Sequence, residues 1–336
     1  MPRILMRVRG FLFMSFFVCA CVRSFVCMKN CTIKIQDTER VVQLPESWDD
    51  LGKRDLMLIY KTMFPSKITE GFDHKLGVMK IASITKHILG LDNAEVEQWR
   101  TDCIVNEDEV EGDSVFLSEF KEVAHLAVEG LFEIDEDEEG RTTYAVKFNR
   151  LKNPYPEIVL EQKQKGNRSK VHWFYGPNDG LSNITIYELG YAFTLFENYV
   201  ATGHEAAVNE LVAILYRPRK PRTKENTDTN YEGDRRMKLR GYEAKAEERA
   251  LLMQGINPDV KRVILFWFAS CRQAIIDRYP SVFARRSKMN ENDNAQYGWA
   301  GVLMGLAGGV AHLDAVSDQH HSNALTWLSI QSDNMP

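Results

Sequence analysis

Three histidines and two aspartates fall within ten residues near the end of the chain, in HLDAVSDQHH from His312 to His321. Imidazole and carboxylate groups are both competent ligands for zinc and related metals. If the stretch is helical, Asp314, Asp318 and His321 share one face. Asp314 and His321 would then lie about 10 Å apart along the axis, too far to share one ion. Asp318 and His321 remain as weak metal candidates, and we expect no bound metal here.

The alternative for this stretch is the polar border of a structural helix. A single helix from Leu313 to Leu328 would place one stripe of residues at spacings of three and four. His320 would border a buried face and be hydrogen-bonded locally, while His321 would point roughly 100° away from it. The stripe consists of Leu313, Val316, His320, Ala324 and Trp327. The sequence favours this structural interpretation.

No other stretch carries an intact catalytic motif. GHEAAVNE (203–210) imitates the zinc-protease sequence H-E-x-x-H, but the second ligand position is Val208, which cannot coordinate a metal. The glycines of GLAGGVAH (305–312) lack the spacing and the lysine of a phosphate loop, so they indicate close helix packing. Cys271 lies in an apolar helical stretch, where a thiol is usually inert. We therefore predict no catalytic residues and no cofactor.

Runs of charge are interpreted as solvated loops. The acidic runs 107–113 and 133–140 lack the ligand register of a calcium loop. The segment 217–240 has nine Lys or Arg against four Asp or Glu, but no clustered aromatic residues on which bases could stack. We expect a mobile basic loop there. With a formal charge of −5, nucleic-acid binding is not expected.

Residues 1–27 differ from the rest of the chain. They contain four arginines and no acid, and their apolar run, 11–22, is shorter than the roughly 20 residues that span a bilayer. They fit a secretory signal peptide, with VCAC as a poor lipoprotein cleavage box, or a misread extension before a true start at Met28. Contact with a membrane is expected only if this leader is real. Beyond Cys31 the chain holds only two cysteines, which excludes a disulfide framework.

The remaining patterns predict a mainly α protein with a small N-terminal β-hairpin. An α+β domain is expected over 28–150, a linker region over 151–182, and an all-α helical domain over 183–330. Two helices of that domain should separate near Thr202-Gly203. The stretch from Asn257 to Tyr279 is apolar on every side near its centre, so it should be a buried core helix.

The order of several phrases resembles a family of proteins from tailed phages and prophages of the Bacteroides type. An opening hairpin is followed by LPESWDDLGKRDLMLIY, KHILGLDNAEVEQWR, ITIYELGYAFTLFENYV, AAVNELVAILYRPRK and YGWAGVLMGLAGG. Members often sit among tail and structural genes and behave like tail assembly chaperones. The resemblance spans most of 28–328 and rests on helical phrases, so it carries over no active site. This chain departs from the pattern in its leader and its long basic loop.

The resemblance implies a non-enzymatic protein that binds other phage tail or structural proteins in the host cytoplasm or the virion. Tyr187, Tyr191, Phe193 and Tyr199 are the candidate partner-binding residues, because aromatic side chains are enriched at interface centres. Two other classes stay open. Residues 1–27 suggest a secreted or lipid-anchored cell-envelope protein, and an enzyme could assemble its site from dispersed residues.

Overall fold

The chain is mainly helical with a few short antiparallel strands, which confirms the predicted fold class. Its described residues divide into two compact units, one up to residue 147 and one from residue 148 onward. The leader and the question of the start at Met28 lie outside the described residues. The computed structural model describes residues 29–35, 38–63, 75–76, 78–105, 109–136, 142–163, 169–220, 234–239, 241, 243–283 and 298–333.

The first unit opens with the predicted hairpin, in which β1 (Lys29–Ile35) pairs antiparallel with β2 (Thr38–Leu44). A single 3-10 turn, Trp48–Asp50, follows. The Ser47 hydroxyl accepts from the Asp49 N–H at 3.2 Å, and the Asp50 carboxylate accepts from the Ser47 N–H at 3.0 Å. This reciprocal capping box satisfies donors that the turn leaves open.

Four helices and a three-stranded sheet complete the first unit. The sheet has the order β3-β5-β4 with antiparallel neighbours. The elements are α1 (Lys53–Met63), β3 (Lys75–Leu76), α2 (Val78–Ile88), α3 (Asn93–Val105), α4 (Glu109–Val128), β4 (Phe132–Glu136) and β5 (Thr142–Val146).

The prediction that both acidic runs are loops is wrong for residues 109–113 and 133–136, and residues 107–108 and 137–140 lie outside the described part of the chain. Residues 109–113 begin α4, where the positive end of the helix dipole favours acidic residues. Residues 133–136 belong to β4, where Ile134 is paired with Tyr144 of β5. Only Phe132 of that strand is buried, so the acids occupy exposed positions while the backbone supplies the pairing.

Trp48 lies in the buried core of the first unit. Its side chain is fully buried, and its Nε1 donates to the Leu131 carbonyl at 3.1 Å. Its ring lies 6.1 Å from Tyr60 and 5.6 Å from Phe132, centroid to centroid. Next to this contact a Cβ on Gly130 would lie 2.2 Å from the Pro45 carbonyl oxygen, so only glycine fits there.

The second unit begins with a β-hairpin, which corrects the predicted linker over 151–182. Strands β6 (Glu157–Lys163) and β7 (Ser169–Tyr175) are antiparallel, and a 3-10 turn, Asp179–Leu181, follows. Ile158, Phe174 and Leu181 are buried in the same core as the helices. Pro154, Pro156, Gly176 and Gly180 therefore lie within the second unit and do not separate it from the rest.

Seven helices have both bounds within the described part of the second unit, besides the 3-10 turn Val310–His312. The first two separate at Gly203, whose φ of +68° ends the first helix in the left-handed region, as predicted. They are α5 (Ile186–Thr202), α6 (Glu205–Leu215), α7 (Glu243–Met253), α8 (Pro258–Arg278), α9 (Gly298–Ala307), α10 (Leu313–Ser317) and α11 (His321–Asp333).

Helix α8 is the buried core helix that its composition predicts. It begins after Asn257, whose side chain accepts from the Asp259 N–H at 2.8 Å, and every residue from Val263 to Cys271 is buried. The Trp267 ring is fully enclosed, and its Nε1 donates to the Leu151 carbonyl at 2.9 Å. One indole thus joins the helix to the chain segment that leads into β6.

Among the described helices, none combines the length and the apolar composition needed to cross a bilayer by itself. Residues 298–307 and 310–317 reach that length and composition only as a pair, which is bent by 91° at the junction.

The Trp267→Ala substitution should lower the free energy of unfolding by about 3–5 kcal/mol, because a large side chain removed from a core leaves a cavity that its neighbours fill only partly. Chemical denaturation followed by circular dichroism measures the loss. Trp327→Ala is the matched control, since that side chain is 45% exposed. Equal stability of the two variants would contradict the placement of α8 in the core.

Candidate functional site

The histidine-rich stretch bends where a single helix was predicted. Helix α10 ends at Ser317 and α11 begins at His321, so the predicted helix over 313–328 is wrong. The chain turns because it pairs with the segment before α5. The Ile186 N–H donates to the Gln319 carbonyl at 2.9 Å, and the His321 N–H donates to the Ile184 carbonyl at 3.3 Å. Tertiary pairing satisfies the backbone groups that an unbroken helix would have satisfied internally.

His321 is a buried structural group. Its side chain is 6% exposed, and its Nδ1 donates to the Ile184 carbonyl at 3.1 Å, since a carbonyl can only accept. Burial lowers the pKa of His321 to about 4, although the bond to Ile184 opposes the shift. The imidazole is therefore neutral at physiological pH.

His320 is held on both ring nitrogens. Its Nε2 donates to the Ser182 carbonyl at 2.6 Å, and its Nδ1 accepts from the Ser322 N–H at 3.2 Å. The two histidines therefore fix the start of α11 against the loop 182–185. Both imidazoles add side-chain hydrogen bonds to the short backbone pairing between these segments.

The two metal candidates have separate partners. Asp318 accepts from the Lys238 ammonium at 3.4 Å at a partly exposed position, whereas His321 is buried against Ile184. Within the residues that the structure describes, no group of three or more His, Cys, Asp or Glu side chains is placed to hold a metal ion.

A polar cleft of about 490 Å³ lies beside this junction. Four of its charged lining residues, Glu188, Asp234, Lys238 and Asp318, are in ion pairs. Asp318 pairs with Lys238, and Glu188 pairs with two buried arginines. The polar lining includes Asn183, Thr185, Glu188, Lys220, Asp234, Lys238, Asp318, His320 and Asn323.

Glu188 is the more deeply buried of two anions in an ion-pair cluster, which consists of Glu188, Arg217, Asp234 and Arg236. Its two oxygens lie 2.6 Å from Arg217 Nη1 and 3.3 Å from Arg236 Nη2. Both arginine side chains are 1% exposed and that of Glu188 is 6% exposed. Charges so deeply buried are tolerated only when they are paired. Glu188 therefore keeps two guanidinium groups inside the second unit.

Arg236 has the most complete set of partners in the cluster. Its Nε donates to Asp234 at 2.9 Å, and its Nη1 and Nη2 donate to the carbonyls of Leu215 and Asn183 at 3.0 and 3.1 Å. Burial would lower the pKa of Arg236, but the carboxylates of Glu188 and Asp234 outweigh it and raise the pKa. The guanidinium thus joins the end of α6 to the loop before α5.

Burial also lowers the pKa of Arg217, against the opposing effect of Glu188. Nearby, Arg249 of α7 donates from Nε to the Ala213 carbonyl at 3.2 Å, and burial, with the Arg217 charge, lowers its pKa to about 10. With a pKa of about 10, Arg249 remains protonated at neutral pH.

The ends of the predicted basic loop are therefore fixed. The Lys220 N–H donates to the Arg235 carbonyl at 2.8 Å, and the Met237 N–H donates to the Pro218 carbonyl at 2.9 Å. The prediction of a mobile loop is wrong for 217–220 and 234–239, because charge pairing and backbone pairing hold them. Residues 221–233 and Arg240 lie outside the described part of the chain.

The four candidate partner-binding aromatics divide into two pairs. Phe193 is fully buried and Tyr199 is 3% exposed, so neither can contact a partner, and that part of the prediction is wrong. They lie on the core side of α5, whereas Tyr187 is partly exposed and Tyr191 is 39% exposed. The periodicity of α5 marks an aromatic helix, but periodicity alone does not say which face is covered.

Tyr187 and Tyr191 form an acidic tyrosine surface together with Glu210 of α6 and with Glu243 and Glu247 of α7. The two rings are stacked with centroids 6.3 Å apart, and the Tyr187 hydroxyl donates to Glu243 at 2.9 Å. Partial burial raises the pKa of Tyr191, and the charges of Glu210, Glu247 and Glu243 raise it further. Aromatic faces and carboxylates that lie together attract positively charged side chains.

Comparison of the chain with protein-family models, with curated proteins and with solved structures gave no match.

Folding stability should fall as the pH drops from about 6.5 to about 4. Unfolded His321 takes up a proton in this range, whereas the folded, buried imidazole does not. The loss should reach roughly 3 kcal/mol at the lower limit. His321→Gln keeps a donor near Ile184 but cannot titrate. The free energy of unfolding of this variant should therefore depend less steeply on pH, because one proton fewer is taken up on unfolding. An unchanged slope would contradict the neutral, buried imidazole of His321.

The Glu188→Gln substitution should lower the free energy of unfolding by about 3–5 kcal/mol, because it leaves Arg217 and Arg236 buried against a single carboxylate. Lys238→Ala breaks the exposed pair with Asp318 and should change the free energy of unfolding by less than about 1 kcal/mol. Denaturant unfolding of both variants tests the contrast. Similar losses would mean that the cluster contributes no more than a surface ion pair.

Proposed function

We propose that this chain is a non-enzymatic protein of a tailed phage or prophage that acts in tail assembly by binding other structural subunits. The proposal is supported by the resemblance of its helical phrases to that family. The observation in the structure that supports it best is the acidic tyrosine surface, where Tyr191 is exposed among Glu210, Glu243 and Glu247. Such a surface suits binding of a protein and needs no catalytic group.

The chemistry of the surface specifies what it would bind. A Lys or Arg side chain placed over an exposed aromatic ring gains about 0.5–1 kcal/mol. The surrounding carboxylates mainly accelerate the encounter with a basic partner and select its orientation, an effect that salt screens. The partner is accordingly a structural subunit that presents lysine or arginine side chains.

Residues 1–27 favour a second candidate, an exported or lipid-anchored cell-envelope protein. In that case the chain would be cleaved near Cys21 and would associate with envelope components. The two candidates differ in their partners and in the length of the mature chain, so one purification followed by mass spectrometry distinguishes them.

The tagged chain, expressed together with the products of its neighbouring genes, should recover one or more tail or structural subunits. Glu247→Lys should lower this recovery about tenfold, because it reverses a charge on the surface that attracts the partner. Raising the salt concentration should weaken the wild-type complex in the same direction.

Glu133→Lys is the control, since Glu133 is exposed on β4 in the other unit. This variant should recover the same subunits as the wild type. If no structural subunit is recovered, or if the chain is exported and cleaved near Cys21, the proposal is wrong. Equal losses with both variants would mean that the acidic tyrosine surface is not the binding site.

A further inference from the structure

The outer face of the β6–β7 hairpin is apolar and exposed. Val159 is 46% exposed, Val171 is 51% exposed and Trp173 is 50% exposed. The register places Val159 opposite Trp173 and Glu161 opposite Val171. Successive residues of a strand face opposite sides, so these side chains share one face, while Ile158 and Phe174 point into the core.

The backbone of β6 also has an open edge. Tyr175 exchanges both backbone hydrogen bonds with Arg217, at 2.8 and 3.1 Å, on the side of β7 away from β6. Tyr175 and Glu157 are therefore a non-hydrogen-bonded pair within the hairpin, and this pattern alternates along an antiparallel ladder. The N–H and C=O groups of Glu157, Val159 and Glu161 consequently point away from β7. No described segment pairs with them.

We propose that the edge of β6 accepts an extended strand of another polypeptide, whose side chains on the outer face alternate basic, apolar, basic. The incoming residues would stand opposite Glu161, Val159 and Glu157. Lysine or arginine opposite the two glutamates gives favourable cross-strand pairs, and an apolar residue opposite Val159 extends the apolar face. Backbone pairing supplies the affinity and these three positions supply the specificity.

The two glutamates argue against a second copy of this chain as the occupant. Antiparallel self-pairing about Val159 would place Glu157 of one copy opposite Glu161 of the other, and like charges directly opposite are destabilising. Pairing about Leu160 would place Val159 opposite Glu161 and leave no apolar match. Charged residues on edge strands commonly prevent such self-association. Pairing of this edge with a second copy is therefore unfavourable, whereas pairing with a basic strand is favourable.

The inference goes beyond the proposed function, because neither a phage nor a tail subunit enters it. The probe is the peptide acetyl-TKTVTKT-amide, added to the full chain at low salt. Amide hydrogen exchange at Val159 and Glu161 should slow in proportion to peptide bound, whereas Ile158 and Leu160, already bonded to β7, should not change. Acetyl-TETVTET-amide should bind about tenfold more weakly, since it sets like charges opposite each other.

Two controls separate strand pairing from simple charge attraction. N-methylation of the peptide valine removes an N–H that faces β6 and should abolish the protection, whereas N-methylation of the adjacent threonine should not. The Glu157→Lys/Glu161→Lys double variant should prefer the glutamate peptide, and circular dichroism checks that it is folded.

Any of the following results would overturn the proposal: no protection by the peptide, equal binding of both peptides, equal effects of the two N-methyl groups, or no change of preference in the double variant. Protection that rises with protein concentration and without peptide would overturn it in favour of a second copy. None of these results bears on the recovery of tail subunits, so the two proposals fail separately.

Discussion

The second unit depends on a single buried carboxylate. Glu188 lies in the first turn of α5 among core residues, and it pairs with guanidinium groups from two other segments of the chain. The desolvation of three charges is tolerated because each has an opposite charge close by. Through Arg217 and Arg236 this contact fixes the end of α6 and both ends of the basic segment against the start of α5. The loop 182–185, which the two histidines hold from the other side, is positioned by the same contact.

The second unit presents two surfaces that could bind partners. The acidic tyrosine surface belongs to α5, α6 and α7, whose buried faces contribute to the common core. The hairpin edge belongs to β6, which Ile158 and Phe174 anchor to that core. Both surfaces carry glutamates beside exposed apolar or aromatic side chains. The pattern is consistent with partners that are basic and partly apolar, and it offers two separate places for them.

The sequence predicted the helices well because their signals are local. Gly203 ends a helix, Asn257-Pro258 starts one, and the apolar run 263–268 can only be buried, so α5, α6 and α8 were predictable. The break at 318–320 was not, because the carbonyl of Ile184 that holds it is distant in the chain. The ion-pair cluster was unpredictable for the same reason, because the sequence spacing of residues 188, 217, 234 and 236 does not indicate that they are in contact. Of the four aromatic candidates only Tyr187 and Tyr191 reach the surface, because an aromatic helix places rings on its buried face as well.

The order of the charged residues along the chain affects how the second unit can fold during synthesis. Glu188 and Arg217 are made first and can neutralise each other as α5 packs against α6. Arg236 comes later, and the carboxylate of Asp234, two residues before it, accompanies it. The sequence order therefore allows each part of the cluster to be buried as a pair of opposite charges. No stage of chain growth needs to bury an isolated guanidinium, although the finished core contains two.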